Sequence, residues 1–269
     1  MLKKIFKKNK NIIIGALHFP PLLGYPDFPG FEVAYKNALS DLKAFSNGGV
    51  DAVIFENNYD IPHQIMVNPE TIVAMTYLGE KIKKQSTLPI GISTLWNDYK
   101  TSLSIAKTLG LKFIRIPVFV DRVRTSCGLV EPVYKQAVKY RQQLKANNVL
   151  LFTDIHVKHS KIISKYNLYQ SAQMAIKNGS DALIITGNWT GQAPNIDELK
   201  KLKNSVGNFP IFIGSGADHK NIKTLLQYAN GVIVSTSLKE GRNKNKEINV
   251  KSWQQRISKV KVKKLTNQK

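Results

Sequence analysis

Ile12-Ile13-Ile14-Gly15-Ala16-Leu17 runs without a break into His18-Phe19-Pro20-Pro21-Leu22-Leu23-Gly24, and this junction decides the fold. Its first six residues are almost wholly apolar, as expected of a parallel strand covered on both faces. An open, doubly wound sheet with a dinucleotide site would place G-x-G-x-x-G here. A proline pair stands there instead. Seven further runs of the same kind follow, at residues 52–56, 90–95, 113–118, 150–155, 182–186, 211–214 and 231–235.

Amphipathic segments separate these runs. Ala34, Ala38, Leu42 and Phe45 recur at helical spacing within residues 33–47, and Pro69-Glu70 opens the next segment with good first-turn chemistry. Residues 101–109, 133–146, 169–177 and 196–206 repeat the pattern. Three of the helices end in a glycine just before a strand, at Gly48-Gly49, Gly110 and Gly179, which suits a left-handed cap. Eight strand–helix units predict an α/β protein with a single (β/α)8 TIM barrel over residues 11–255. Residues 1–10 and 256–269 read as basic tails.

The 269 residues carry 40 Lys+Arg against 18 Asp+Glu, a formal charge of +22. Residues 1–10 and 251–269 supply twelve of those charges, and only six of the forty basic residues are arginine. A nucleic-acid reader would favour Arg interleaved with aromatics, so nucleic acid is set aside as a partner. Leu2, Ile5 and Phe6 among lysines allow a weak touch on a membrane surface. No apolar run is long enough to span one. One cysteine, Cys127, excludes an internal disulfide framework and a multi-cysteine zinc site, and with no secretory leader it fits the cytoplasm. The sequence calls for no metal and no cofactor. A barrel of this size is expected to form a homo-oligomer.

Active sites of such barrels form from the loops after the strands. There the sequence offers His18; Glu56 and Asn57; Asn97 and Asp98; Arg115; Asp154, His156, Lys158 and His159; and Thr186 and Thr190. Arg115 has a plainer reading as an internal partner of Glu56. Alternation puts Asp154, His156 and Lys158 on one side for as long as they stay extended. A carboxylate near a lysine can tune proton transfer, and a desolvated Lys158 can form a Schiff base. Gly214-Ser215-Gly216 after the seventh strand and Ser235-Thr236-Ser237 after the eighth predict a phosphate cradle.

Taken in order, these motifs resemble the BtpA/SgcQ family of TIM barrels. The resemblance runs over about residues 12–250. It rests on residues 18–24, Glu56-Asn57-Asn58-Tyr59-Asp60-Ile61-Pro62, Pro69-Glu70-Thr71, Arg115 and Gly128-Leu129-Val130-Glu131. It continues through Val157-Lys158-His159, Thr186-Gly187, Thr190-Gly191, Gly214-Ser215-Gly216 and Thr236-Ser237-Leu238-Lys239. The family name comes from photosystem I biogenesis in cyanobacteria, and another branch carries a nucleosidase designation. The resemblance implies a phosphorylated sugar or nucleoside-type ligand. The chain departs from the family pattern at Ser93, Trp96, Pro117, Ser126, Cys127 and Ser235, which implies an altered mouth.

Two functions follow as expectations. One is an enzyme cleaving or rearranging a phosphorylated ribosyl-type substrate, with Asp154, Lys158, His159 and Glu56 as the reacting groups. Its chemistry would be N-glycosidic hydrolysis, or lyase or aldolase chemistry through an imine on Lys158. The other is a non-catalytic assembly factor that uses the barrel as a ligand-sensing scaffold.

Overall fold

Period-two alternation along each strand sends one set of side chains into the barrel and the other outward to the helices. A computed structural model describes residues 1–241 and 250–269. The chain opens with a short helix α1 (Leu2–Phe6) and strand β1 (Ile12–His18), then α2 (Phe31–Gly48) and β2 (Ala52–Glu56). Next come α3 (Pro69–Gln85), β3 (Ile90–Ser93), α4 (Tyr99–Leu109) and β4 (Phe113–Ile116). A hairpin, β5 (Val123–Thr125) and β6 (Gly128–Val130), precedes α5 (Tyr134–Gln143) and β7 (Leu150–Ile155). The two-residue β8 (Lys161–Ile162), α6 (Leu168–Lys177), β9 (Ala182–Ile185) and α7 (Ile196–Val206) follow. Then come β10 (Ile211–Ile213), α8 (Ile222–Tyr228), β11 (Gly231–Val234) and, near the end, α9 (Lys259–Thr266).

Eight strands close a parallel barrel in the order β1-β11-β10-β9-β7-β4-β3-β2, the expected TIM barrel. Five of the eight predicted strands, β3, β4, β9, β10 and β11, end one or two residues early. The hairpin and β8 form a separate antiparallel sheet outside the barrel, in the order β6-β5-β8. Val123 and Val130 from that hairpin pack with Trp96, Val118 and Val157 as a small satellite core.

Ile12, Ile14, Ile54, Phe113, Phe152, Ile184 and Phe212 fill the lower barrel. Two residues further along the same strands stand Glu56, Arg115 and Asp154, so a charged layer caps an aromatic one. Leu2 and Phe6 of α1 belong to the lower cluster, at 3% and 4% exposure. The Phe6 ring lies 5.8 Å from Phe113, 6.3 Å from Phe152 and 6.4 Å from Phe212. The amino-terminal segment therefore plugs the barrel and is not a tail.

The carboxy-terminal segment is corrected in the same way. α9 stands in the place of the barrel's eighth helix, with Val262 and Leu265 buried. Val262 fits against Gly48 of α2, where a Cβ would stand 2.3 Å from its methyl group. Ahead of α9, Asp41 accepts from the Ile257 amide and pairs with Arg256 at 3.2 Å. An amphipathic helix dense in lysine looks like a solvated tail until its few apolar residues find a partner.

Candidate functional site

Glu56 lies at the centre of the charged layer. Its Oε2 is 3.4 Å from His18 Nε2 and its Oε1 is 3.4 Å from Arg115 Nη1. Arg115 turns its other edge to Asp154, donating from Nε and Nη2 at 2.8 Å each. This two-bond fork fixes the guanidinium plane. A Cβ on Gly214 would stand 3.3 Å from Arg115 Nη2 and 2.5 Å from an Ile184 methyl, so the barrel closes here only around a glycine.

Burial alone would raise the Glu56 carboxyl. The His18 hydrogen bond and the charges of Arg115, His18 and Lys158 outweigh it and hold the carboxyl at about 2. Burial likewise raises Asp154, with Arg115 working against it. Desolvation pulls the Arg115 guanidinium down, but its two acidic neighbours leave it more firmly protonated than usual. Burial pushes His18 below its ordinary value, with the Glu56 hydrogen bond and charge opposing it.

Lys158 reaches the cavity from the loop after β7. Burial first, then the nearby Arg115, lowers its ammonium to about 8, with Glu56 and Asp154 opposing. Thr186 Oγ1 accepts from the Lys158 amide at 3.0 Å, and Thr190 Oγ1 accepts from its Nζ at 3.3 Å. His159 Nε2 lies 2.7 Å from that same Thr190 oxygen. Burial and then the Lys158 charge push His159 down to about 4, so it is a neutral partner of the threonine.

The cavity at the strand ends has a volume of about 720 Å³. Its wall includes His18, Glu56, Arg115, Lys158 and Thr190, together with Gly214–Gly216 and Ser235–Leu238. Gly216 has φ +73°, and a Cβ there would strike the Gln192–Ala193 backbone at 2.1 and 2.0 Å. Ser215 Oγ accepts from the Gly187 amide and donates to the Gln192 carbonyl, so its hydroxyl ties two loops together. Ser237 Oγ donates to the Ala217 carbonyl in a similar bridge. The amides of Gly216, Ala217, Thr236 and Ser237 have no protein acceptor among the described residues. Ser235 Oγ, buried on the cavity wall, also has no partner.

Several expected residues lie elsewhere. Asp154 is sealed behind Arg115, off the wall, so it positions the guanidinium. His156 leaves the strand with φ 48°, and its Nε2 faces the Tyr166 carbonyl at 3.3 Å. The extended alternation expected through Lys158 therefore breaks at His156, and His156 and His159 are absent from the wall. Asn57 accepts from the Leu95 amide and donates to Asp60. Asn97 exchanges two hydrogen bonds with Val118, and Asp98 caps α4 through Thr101. These three hold loops in place. The wall residues missed in the sequence are Gln192, Asp218, His219, Lys261 and Lys264. The last two were hidden in the supposed tail. Among the described residues no group of three or more His, Cys, Asp or Glu side chains is placed to hold a metal ion.

The fold and this polar mouth define a TIM barrel with a polar cavity at the carboxy-terminal ends of its strands. The BtpA family profile matches residues 9–262, and the chain belongs to the BtpA family. It is 36% identical over 241 residues to the photosystem I biogenesis protein BtpA of Synechocystis sp., covering 88% of this chain and 84% of that protein. An uncharacterised protein of Pyrococcus horikoshii is 33% identical over 245 residues, covering 90% of this chain and 93% of its own. Among solved structures, a mutant tryptophan synthase α-subunit from Pyrococcus furiosus superposes with a TM-score of 0.62 at 15% identity. That match covers 97% of this chain and all of the other, and shows the shared fold. No helix among the described residues is long and apolar enough to cross a membrane.

Proposed function

We propose that the cavity binds a phosphorylated ribosyl-type molecule and cleaves its N-glycosidic bond. The observation that carries this reading is convergence. Lys158, an ionised Glu56 and a row of backbone amides with no protein acceptor among the described residues all face one cavity. The Gly214–Gly216 and Ser235–Ser237 loops would take the phosphate through their amides. Glu56 would stabilise the positive charge that develops on the sugar ring, as carboxylates do in glycoside cleavage. Its grip on Arg115 and His18 keeps it charged and aimed.

As the bond from sugar carbon to base nitrogen breaks, its electron pair leaves with the base. The Lys158 ammonium protonates that nitrogen, and water then bonds to the sugar carbon and returns a proton to the amine. An ammonium near 8 suits this acid role at neutral pH. The test is chromatographic: incubate the protein with a panel of nucleosides and their 5′-phosphates and look for released base. Release from a phosphorylated member is expected, falling by about 10²-fold or more in Glu56→Gln. A panel with no release in the wild type would refute the hydrolysis.

The same depressed amine favours a second reading, an imine formed between Lys158 and a carbonyl substrate. Borohydride in the presence of sugar phosphates would trap it as a stable adduct on Lys158. The scaffold reading draws on the cyanobacterial relative's name. Deleting the two ends cannot separate it from an enzyme, because those ends are built into the barrel.

A further inference from the structure

The wall of the cavity includes side chains of α9. This helix turns Val262 and Leu265 onto the barrel, while Lys261 and Lys264 stand on the cavity wall. Three residues apart, they share one face of the helix, where like charges repel. Lys261 also donates to the Lys239 carbonyl, which brings its ammonium to the end of the 236–238 turn. Among the described residues neither lysine makes an ion pair.

The two carboxylates of the wall are committed elsewhere. Glu56 is held by His18 and Arg115 at the inner end. Asp218 accepts from the Lys220 and Asn221 amides. The same wall carries Lys158, the amide row and the Ser235 hydroxyl, which has no partner among the described residues. About 720 Å³ is room for a drug-sized ligand, more than one sugar phosphate requires.

We infer that the ligand carries a second phosphate, held at the outer end by Lys261 and Lys264 while the first occupies the amide cradle. This rests on the phosphate reading above and narrows it to a bisphosphorylated or pyrophosphate-bearing substrate. An anion between the two lysines would relieve their mutual repulsion, and each gives phosphate a compact point charge.

Calorimetric titration at low salt tests the inference with inorganic phosphate, pyrophosphate and tripolyphosphate as probes. One of the longer anions should bind the wild type about tenfold or more tightly than phosphate does. Lys264→Gln, at an exposed position, should cut that preference to about threefold or less with phosphate binding unchanged. The pair Lys261→Gln and Lys264→Gln should abolish it. Phosphate binding without any preference, or a preference that survives the double substitution, would overturn the inference and leave the cradle standing. If no probe binds the folded wild type, the cradle itself is refuted, and the second site with it.

Discussion

In the proposed function Lys158 is the residue on which the chemistry would turn, and its charge state separates the two proposed reactions. Burial and the Arg115 charge hold its ammonium at about 8. If it protonates a leaving base, kcat should fall as pH rises through about 8, because the acid form is being lost. If it attacks a carbonyl, kcat should rise through the same pH, because the free amine is being formed. A kcat–pH profile from pH 6 to 10 reads the sign directly, and a hydrolase should show the fall. Glu56 stays ionised across this window, so its titration does not confuse the result.

At the scale of elements, α1 and α9 change the picture most. Phe6 fills the bottom of the barrel against three aromatic rings. Phe6→Ala should cost about 3–5 kcal/mol of stability, measured by denaturant unfolding, whereas a true tail residue would cost almost nothing. The barrel strands were legible because buried parallel strands write continuous apolar runs, and the helix ends because Gly49 and Gly110 take up left-handed caps. The β5–β6 hairpin was not legible, since Val123 and Val130 gain their meaning only against Trp96 and Val157 from distant loops. Nor was α9, where lysines outnumber the two residues that bury most deeply.

The site was legible in part for a related reason. His18, Glu56, Arg115, Lys158 and the two glycine–serine loops were found because the fold tells where strands end. Asp154, Asn57, Asn97 and Asp98 share those strand ends yet serve their neighbours, and residue type cannot separate pointing into a cavity from pinning a loop. His156 was misplaced by one backbone turn, φ 48°, which no pattern of side chains announces.

For the molecule as a whole, the +22 charge is organised by the fold. Part of it is carried on the outside of α1, whose Leu2 and Phe6 plug the bottom of the barrel, and part of it, on α9, faces the cavity. Such a field draws anions toward the mouth. The central claim is that this mouth binds a phosphorylated small molecule. A thermal-unfolding series tests it most directly, comparing sugar phosphates and nucleotides with their dephosphorylated counterparts. A cognate phosphorylated ligand at about 100 times its Kd should raise the midpoint by roughly 5–10 °C, and its dephosphorylated form should raise it far less. A midpoint that no phosphorylated compound moves, or that moves equally with and without the phosphate, would contradict the account.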